Sequence, residues 1–178
     1  SLVSALKVFL YIMCLAIVTG GFFGLGVIHG IIKSAPSVEN ISIVPSSYST
    51  TVYDTNNKQI AKLITSGSNR IKADLKDIPE HLRWAFIDTE DARFYEHNGI
   101  DTKGILRAGA SFFMNGDMQG ASTITQQLLK NNVFANGGSE SSFGELVKRK
   151  VQEQYLAVEL EKNQSKAVIL ENYVNTIN

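Results

Sequence analysis

Three polar blocks in this chain hold residue types able to exchange protons and grip anions. The first, Thr89-Glu90-Asp91-Ala92-Arg93-Phe94-Tyr95-Glu96-His97-Asn98-Gly99, sets two adjacent carboxylates, a guanidinium, an imidazole and two aromatics directly behind an apolar helical run. A carboxylate at the end of such a run is expected to be partly desolvated, a setting suited to general acid or base work. That makes Glu90 the first candidate. Arg93 could bind phosphate or orient Glu90, and His97 could shuttle a proton. The bland account has Glu90 and Asp91 as surface acids, Arg93 paired with a nearby acid, and His97 as a hydrogen-bonded structural group. No His-x-x-x-His or paired-Cys spacing supports a zinc site.

The second block, Gly120-Ala121-Ser122-Thr123-Ile124-Thr125-Gln126-Gln127-Leu128-Leu129-Lys130-Asn131, opens a helix. Thr123 and Gln126 stand at capping-box spacing. Free N–H groups at a helix start favour anions, and Lys130 adds a formal charge about two turns on. The order of a Walker loop is absent. A capped helix with a solvated polar face is the bland account. Two adjacent glutamines exceed what capping needs, so one of them is expected to face inward or toward a ligand.

The third block, Lys148-Arg149-Lys150-Val151-Gln152-Glu153, puts Arg149 and Glu153 four apart on one helix face. Read blandly, this is an ion pair worth a few tenths of a kcal/mol (roughly 0.3). Read functionally, Arg149 and Lys150 grip a pyrophosphate while Glu153 positions an amine, a metal or a sugar hydroxyl.

The elements that must position these blocks follow from pattern. Between Lys7 and Lys33 there is no Asp, Glu, Lys or Arg, and positions 8–32 are long enough to span a bilayer with some tilt. A cleaved signal peptide would have a shorter apolar run. A retained transmembrane helix is therefore assigned to 5–33. Its one cysteine, Cys14, excludes an internal disulfide. Positions 34–76 read as a linker leaving the membrane. They include a hairpin in which runs 50–53 and 59–64 flank an Asp/Asn-rich turn.

From 77 onward the pattern is helical. Asp77 is expected to cap a helix whose Leu82, Ala85 and Phe86 face inward. Asp101 caps a second helix, with Ile105, Leu106, Gly109, Phe112 and Phe113 inward and 115–117 ending it. A Gly/Ser-rich stretch at 136–142 reads as a mobile loop. A long helix then follows over about 143–161, with Leu146 or Val147, Val151, Tyr155 and Val158 as its apolar stripe. Ser165 caps a last helix through Ile169, Tyr173 and Ile177. The fold class is mainly α, with a small β-hairpin linker and one N-terminal transmembrane helix. Seventeen basic and seventeen acidic residues leave zero formal charge over 178 residues, which points away from a nucleic-acid partner.

The three blocks, in this order behind one membrane span, resemble the peptidoglycan glycosyltransferases of glycosyltransferase family 51. These are the polymerase domains of class A penicillin-binding proteins and the monofunctional enzymes. The family's first motif, Glu-Asp-x-x-Phe-x-x-His-x-Gly, is matched at 90–99, and its second at 120–131. The third, Arg-Lys-x-x-Glu, is matched by Arg149, Lys150 and Glu153. The fourth is matched by Lys166, Ile169, Leu170, Glu171, Tyr173 and Asn175, with Val174 in place of Leu.

The resemblance implies a lysozyme-like helical lobe with a smaller membrane-touching jaw, over a domain at 77–178 that is C-terminally incomplete, which leaves the activity of the fragment open. It implies polymerisation of lipid II, with Glu90 as general base and Glu153 as a second acid. It also implies Lys130, Arg149 and Lys150 as cations for the leaving pyrophosphate. Asp91, Arg93, Phe94, His97, Ser122, Thr123, Gln126, Gln127 and Asn131 are then residues that shape or line the substrate cleft. Magnesium or manganese would be the metal, with no nucleotide cofactor. The partners would be lipid II and the growing lipid-linked strand, membrane lipids, and cell-wall synthesis or division proteins. The location would be the cell membrane, single-pass, with the catalytic domain on the extracytoplasmic side. A membrane-tethered muramidase-like hydrolase and a non-catalytic helical module are the alternatives.

Overall fold

The computed structural model describes residues 2–43, 48–63, 70–116, 120–134 and 139–177, without the side chains of Leu2 and Asn40. It comprises two compact units, Ser1–Pro36 and Ser37–Asn178. The first unit is one helix, α1 (Leu2–Lys33), long and apolar enough to cross a membrane. Its apolar side chains are exposed almost throughout, so no protein core accounts for their hydrophobicity. Thr19, mid-helix, returns its hydroxyl to the Leu15 carbonyl at 2.9 Å, the usual way a polar side chain is satisfied in lipid.

The second unit opens with a hairpin of β1 (Thr50–Tyr53) and β2 (Gln59–Leu63), antiparallel, with Thr50 opposite Leu63. Asp54 forms the turn: its Oδ1 accepts from the N–H groups of Asn56 and Lys58, both at 2.8 Å, and Asn57 takes the left-handed conformation with φ 63°. Five helices follow: α2 (Glu80–Glu90), α3 (Thr102–Asn115), α4 (Ile124–Val133), α5 (Phe143–Asn163) and α6 (Lys166–Thr176). The core lies where α4 packs on α5 and α6. Ile124, Leu128 and Leu129 of α4 meet a layer that includes Leu156, Ala157, Ile169 and Leu170, all fully buried. The aromatic of the first polar block, Phe94, is sealed in the same core.

The caps at Asp101, Thr123 and Ser165 are present, and Ser142, read as part of the preceding loop, caps α5 as well, each accepting a backbone N–H three residues on. Asp77 is different. It lies in a short 3-10 turn (Leu75–Asp77), and α2 begins after Pro79, whose carbonyl receives the N–H groups of Leu82 and Arg83. Proline's fixed φ makes it a ready entry to a helix, which moves the start two residues on.

Three inward faces also differ from expectation. On α2, Ile87 is the buried residue and Leu82 is exposed. On α3, Ile105, Leu106, Phe112 and Phe113 are all exposed, Phe113 at 88%. On α5 the buried residues are Arg149, Gln152, Glu153, Leu156, Ala157 and Leu160, while Val151, Tyr155 and Val158 are only half-buried. Periodicity reports which side chains share a face. It does not report what that face meets, and on α5 mutually satisfied polar groups occupy the interior at one end.

The segment before α2 is clipped to α6 by two residues of the fourth motif. Asn175 accepts from the Ala73 N–H at 2.9 Å and donates to the Ala73 carbonyl at 2.8 Å, and Glu171 accepts from the Leu75 N–H at 2.9 Å.

Candidate active site

The last residue of α2 is Glu90, so the helix axis delivers its carboxylate to the surface of the unit. Glu90 is exposed, and the desolvation expected from the apolar run before it is absent. Ile87, one turn earlier, takes the inward position. The chain breaks helix at Asp91 (φ −160°, ψ 69°), and Asp91 turns inward. Its Oδ2 accepts from the backbone N–H of Ile124 at 3.0 Å, and the carboxylate pairs with His97 Nε2 at 3.0 Å. The first block is thereby fastened to the opening of α4. Phe94 packs beneath it, with the Lys166 ammonium 4.3 Å from its ring centre.

The same junction is held from the other side. Thr123 Oγ1 donates to the Gly99 carbonyl at 2.8 Å and accepts from the Gln126 N–H at 3.2 Å. Gln126 closes the capping box by accepting from the Thr123 N–H at 3.1 Å. Asp91, Phe94, His97 and Thr123 are thus the frame of the site. The question left by the paired glutamines has a clear answer: Gln126 caps, and Gln127 faces the site. Gln127 Nε2 donates to Glu90 Oε2 at 2.9 Å, and its Oε1 accepts from the Tyr173 hydroxyl at 3.2 Å.

Two cavities flank this junction and share Ser122. One, of about 150 Å³, is lined by Glu90, Arg93, Arg107 and the 120–123 segment, with Asp88, Asp91 and Asp101 among its other walls. The second, of about 200 Å³, is lined by Ser122, Gln126, Gln127, Lys130, Asn131, Lys150 and Glu153. The acid and the cations therefore occupy adjoining spaces, bridged by Gln127.

The cations differ in how they are engaged. Arg93 is held by Asp101 through two bonds, Nε to Oδ1 at 3.3 Å and NH2 to Oδ2 at 2.5 Å. Burial would push the Asp101 carboxyl up, but the Gly104 N–H and the Arg93 guanidinium outweigh it and hold it below the usual range. Arg149 is buried and pairs with both Glu140 and Glu153, and the Glu140 bond above all raises its affinity for its proton. It lines neither of these two cavities, and its guanidinium lies on Glu140 and Glu153. Lys150 reaches Glu153 Oε2 at 3.0 Å and Ser122 Oγ at 3.2 Å while remaining partly exposed. Of the motif cations, Lys130 alone has no carboxylate within salt-bridge distance among the described residues.

Glu153 is almost fully buried, with one oxygen on Arg149 and the other on Lys150. Both of its oxygens are committed to cations. No group of three or more His, Cys, Asp or Glu able to hold a metal occurs among the described residues.

Two residues of the site went unassigned in the sequence reading. Tyr173 sits in the fourth motif, yet its spacing read only as core. Glu140 falls within the Gly/Ser-rich stretch at 136–142, and no local pattern marks it as the partner of Arg149.

Residues 56–178 match the family described as Transglycosylase. The chain is 41% identical to penicillin-binding protein 1A of Clostridium acetobutylicum over 177 residues, covering 96% of this chain and 21% of that protein. It is 42% identical to penicillin-binding protein 1A/1B of Bacillus subtilis over 162 residues, covering 87% and 17%. It is 37% identical to penicillin-binding protein 1A of Streptococcus pneumoniae over 169 residues, covering 95% and 22%. The chain thus spans about a fifth of the length of these relatives.

Proposed function

This chain belongs to the transglycosylase family, and on that premise we propose that it is a peptidoglycan glycosyltransferase joining lipid II units into β-1,4 glycan strands. The observation that carries the reading is the bridge across Gln127. It ties the Glu90 carboxylate to α4, and α4 carries Lys130 one turn further into the cavity that Lys150 also lines.

Glu90 is the general base. Gln127 holds its Oε2, and Oε1 takes the proton from the acceptor sugar's 4-hydroxyl. The freed oxygen attacks the anomeric carbon of the donor from the face opposite the lipid pyrophosphate. The carbon–oxygen bond to the pyrophosphate breaks, and its electron pair leaves with the phosphate, inverting the carbon. The proton then passes from Glu90 to water. Negative charge developing on the leaving group is met by Lys130, which has no carboxylate within salt-bridge distance among the described residues, and by Lys150. Glu153 and Arg149 act behind them. Together they fix the α5 end of the cavity and set the position of the Lys150 ammonium.

Both substrates of this reaction carry polyprenyl tails, and two features suit a site at a lipid surface. α1 anchors the chain in the cell membrane, with the second unit on the extracytoplasmic side. The apolar side chains that α3 presents, Leu106, Phe112, Phe113 and Met114, meet the bilayer surface where the lipid-linked sugars lie. Cell-wall synthesis or division proteins are the protein partners that fit this location.

Incubating the intact membrane protein with labelled lipid II tests the reading. Glycan strands should grow and undecaprenyl pyrophosphate should be released, whereas Glu90→Gln should lose strand synthesis by at least about a hundredfold while lipid II still binds. Near-normal strands from that variant would remove Glu90 from the base role. Cutting of preformed strands in place of growth would make the protein a hydrolase.

A further inference from the structure

Glu90 stands at a helix end, exposed, where a carboxylate has freedom to rotate. A general base must nevertheless hold one oxygen toward the hydroxyl it deprotonates. Among the described residues, the side chain that hydrogen-bonds to it is Gln127, at 2.9 Å. A glutamine cannot by itself fix the polarity of that contact. Its amide carries a donor end and an acceptor end of nearly the same shape, and a half-turn about the last bond would set Oε1 against the carboxylate. Tyr173 removes the ambiguity. It is 2% exposed, anchored in the α4–α6 core, and its hydroxyl lies 3.2 Å from Gln127 Oε1.

We infer that Tyr173 is a positioning residue for Glu90, acting through Gln127: its hydroxyl fixes the amide so that the NH2 end faces the carboxylate. The inference rests on the glycosyltransferase reading and adds a residue that touches no substrate. Three elements meet in this line. Glu90 ends α2, Gln127 belongs to α4 and Tyr173 to α6, so the base is aligned with the core rather than with its own helix end.

The line has a single stable direction while Glu90 is ionised. The carboxylate accepts only, so Gln127 must donate to it. The Gln127 carbonyl then accepts only, so Tyr173 must donate. Burial and the nearby Glu90 charge keep the phenol protonated, its pKa pushed up to about 12, so the donor persists through neutral pH. A phenylalanine at 173 would fill the same space in the core without fixing the amide.

The test is steady-state polymerisation of lipid II by the intact membrane protein and by Tyr173→Phe, Gln127→Ala and the double variant. Tyr173→Phe should lower kcat about tenfold with KM unchanged. Added to Gln127→Ala, it should change kcat by less than about twofold, because the residue it acts through is gone. Wild-type kcat in Tyr173→Phe, or a full further tenfold loss in the Gln127→Ala background, would overturn the inference. An activity-free measurement separates this from the parent reading: in protein labelled at glutamine with 15N, the Gln127 side-chain amide should shift or broaden in Tyr173→Phe. An unchanged amide signal would overturn the relay even in an active enzyme. A wild-type protein that makes no strands, but whose Gln127 amide responds to Tyr173→Phe, would uphold the geometry and sink the glycosyltransferase reading.

Discussion

Arg149 and Glu153 stand four residues apart on α5 and pair inside the protein, where the same guanidinium also takes Glu140. On an exposed helix face such a pair contributes little. Here both groups are buried, and removing the guanidinium would leave two carboxylates without their main partner.

That arrangement separates Arg149 from Lys130. Arg149→Ala should destabilise the unit by about 3–5 kcal/mol, read as a lower denaturant midpoint, since it strands buried charge. Lys130→Ala should leave the midpoint within about 0.5 kcal/mol and weaken binding of pyrophosphate-bearing donor analogues about tenfold or more. A stable Arg149→Ala protein that loses donor affinity selectively would return Arg149 to the substrate cleft.

Gly99 links the first polar block to α5, and it is there because nothing larger fits. Its φ is +86°, and a Cβ added to it would stand 2.5 Å from the Ala157 carbonyl oxygen, a backbone atom that cannot turn aside. Gly99→Ala should cost about 3 kcal/mol or more and reduce polymerisation, because the Gly99 carbonyl also receives the Thr123 hydroxyl. Gly116→Ala is the control. It shares a positive φ of 73° but faces open space, so its cost should stay near 1 kcal/mol. Equal midpoints for the two variants would show that α5 yields at Ala157.

Tyr173 also predicts an alkaline limit to stability. Burial, then the Glu90 charge, raise its folded pKa from 10.0 to about 12. The folded protein thus favours the neutral phenol, and that contribution is whole below pH 10, falls between pH 10 and about 12, and is absent above. It amounts to roughly 2–3 kcal/mol, discounted toward the lower figure by the solvent near Glu90. Denaturant melts from pH 9 to 12 should show the wild type losing this increment relative to Tyr173→Phe. Parallel curves for the two proteins would place the loss in other groups.

How far the sequence reached can be seen residue by residue. The hairpin around Asp54, the caps at Asp101, Thr123 and Ser165, and the ends of most helices were legible because each depends on neighbours within three or four positions. The membrane-length α1 was legible for the same kind of reason: an uninterrupted apolar run needs no partner to be recognised. The polar blocks announced themselves by composition, and the candidate site is built from them.

What those residues do to one another was settled by contacts between elements far apart in the chain. Asp91 and Thr123 became framework because the N–H of Ile124 and the carbonyl of Gly99 were brought to them. Gln127 was turned toward Glu90 by a tyrosine on another helix, and Arg149 was drawn inward by a carboxylate from a loop. Helix register is local, since a turn repeats every 3.6 residues whatever surrounds it. Which face is buried, and which charges neutralise each other, depends on packing that only the folded chain supplies. The same distinction explains why α3 could be read as a helix from its residues, yet only the tertiary structure revealed that its phenylalanines point outward.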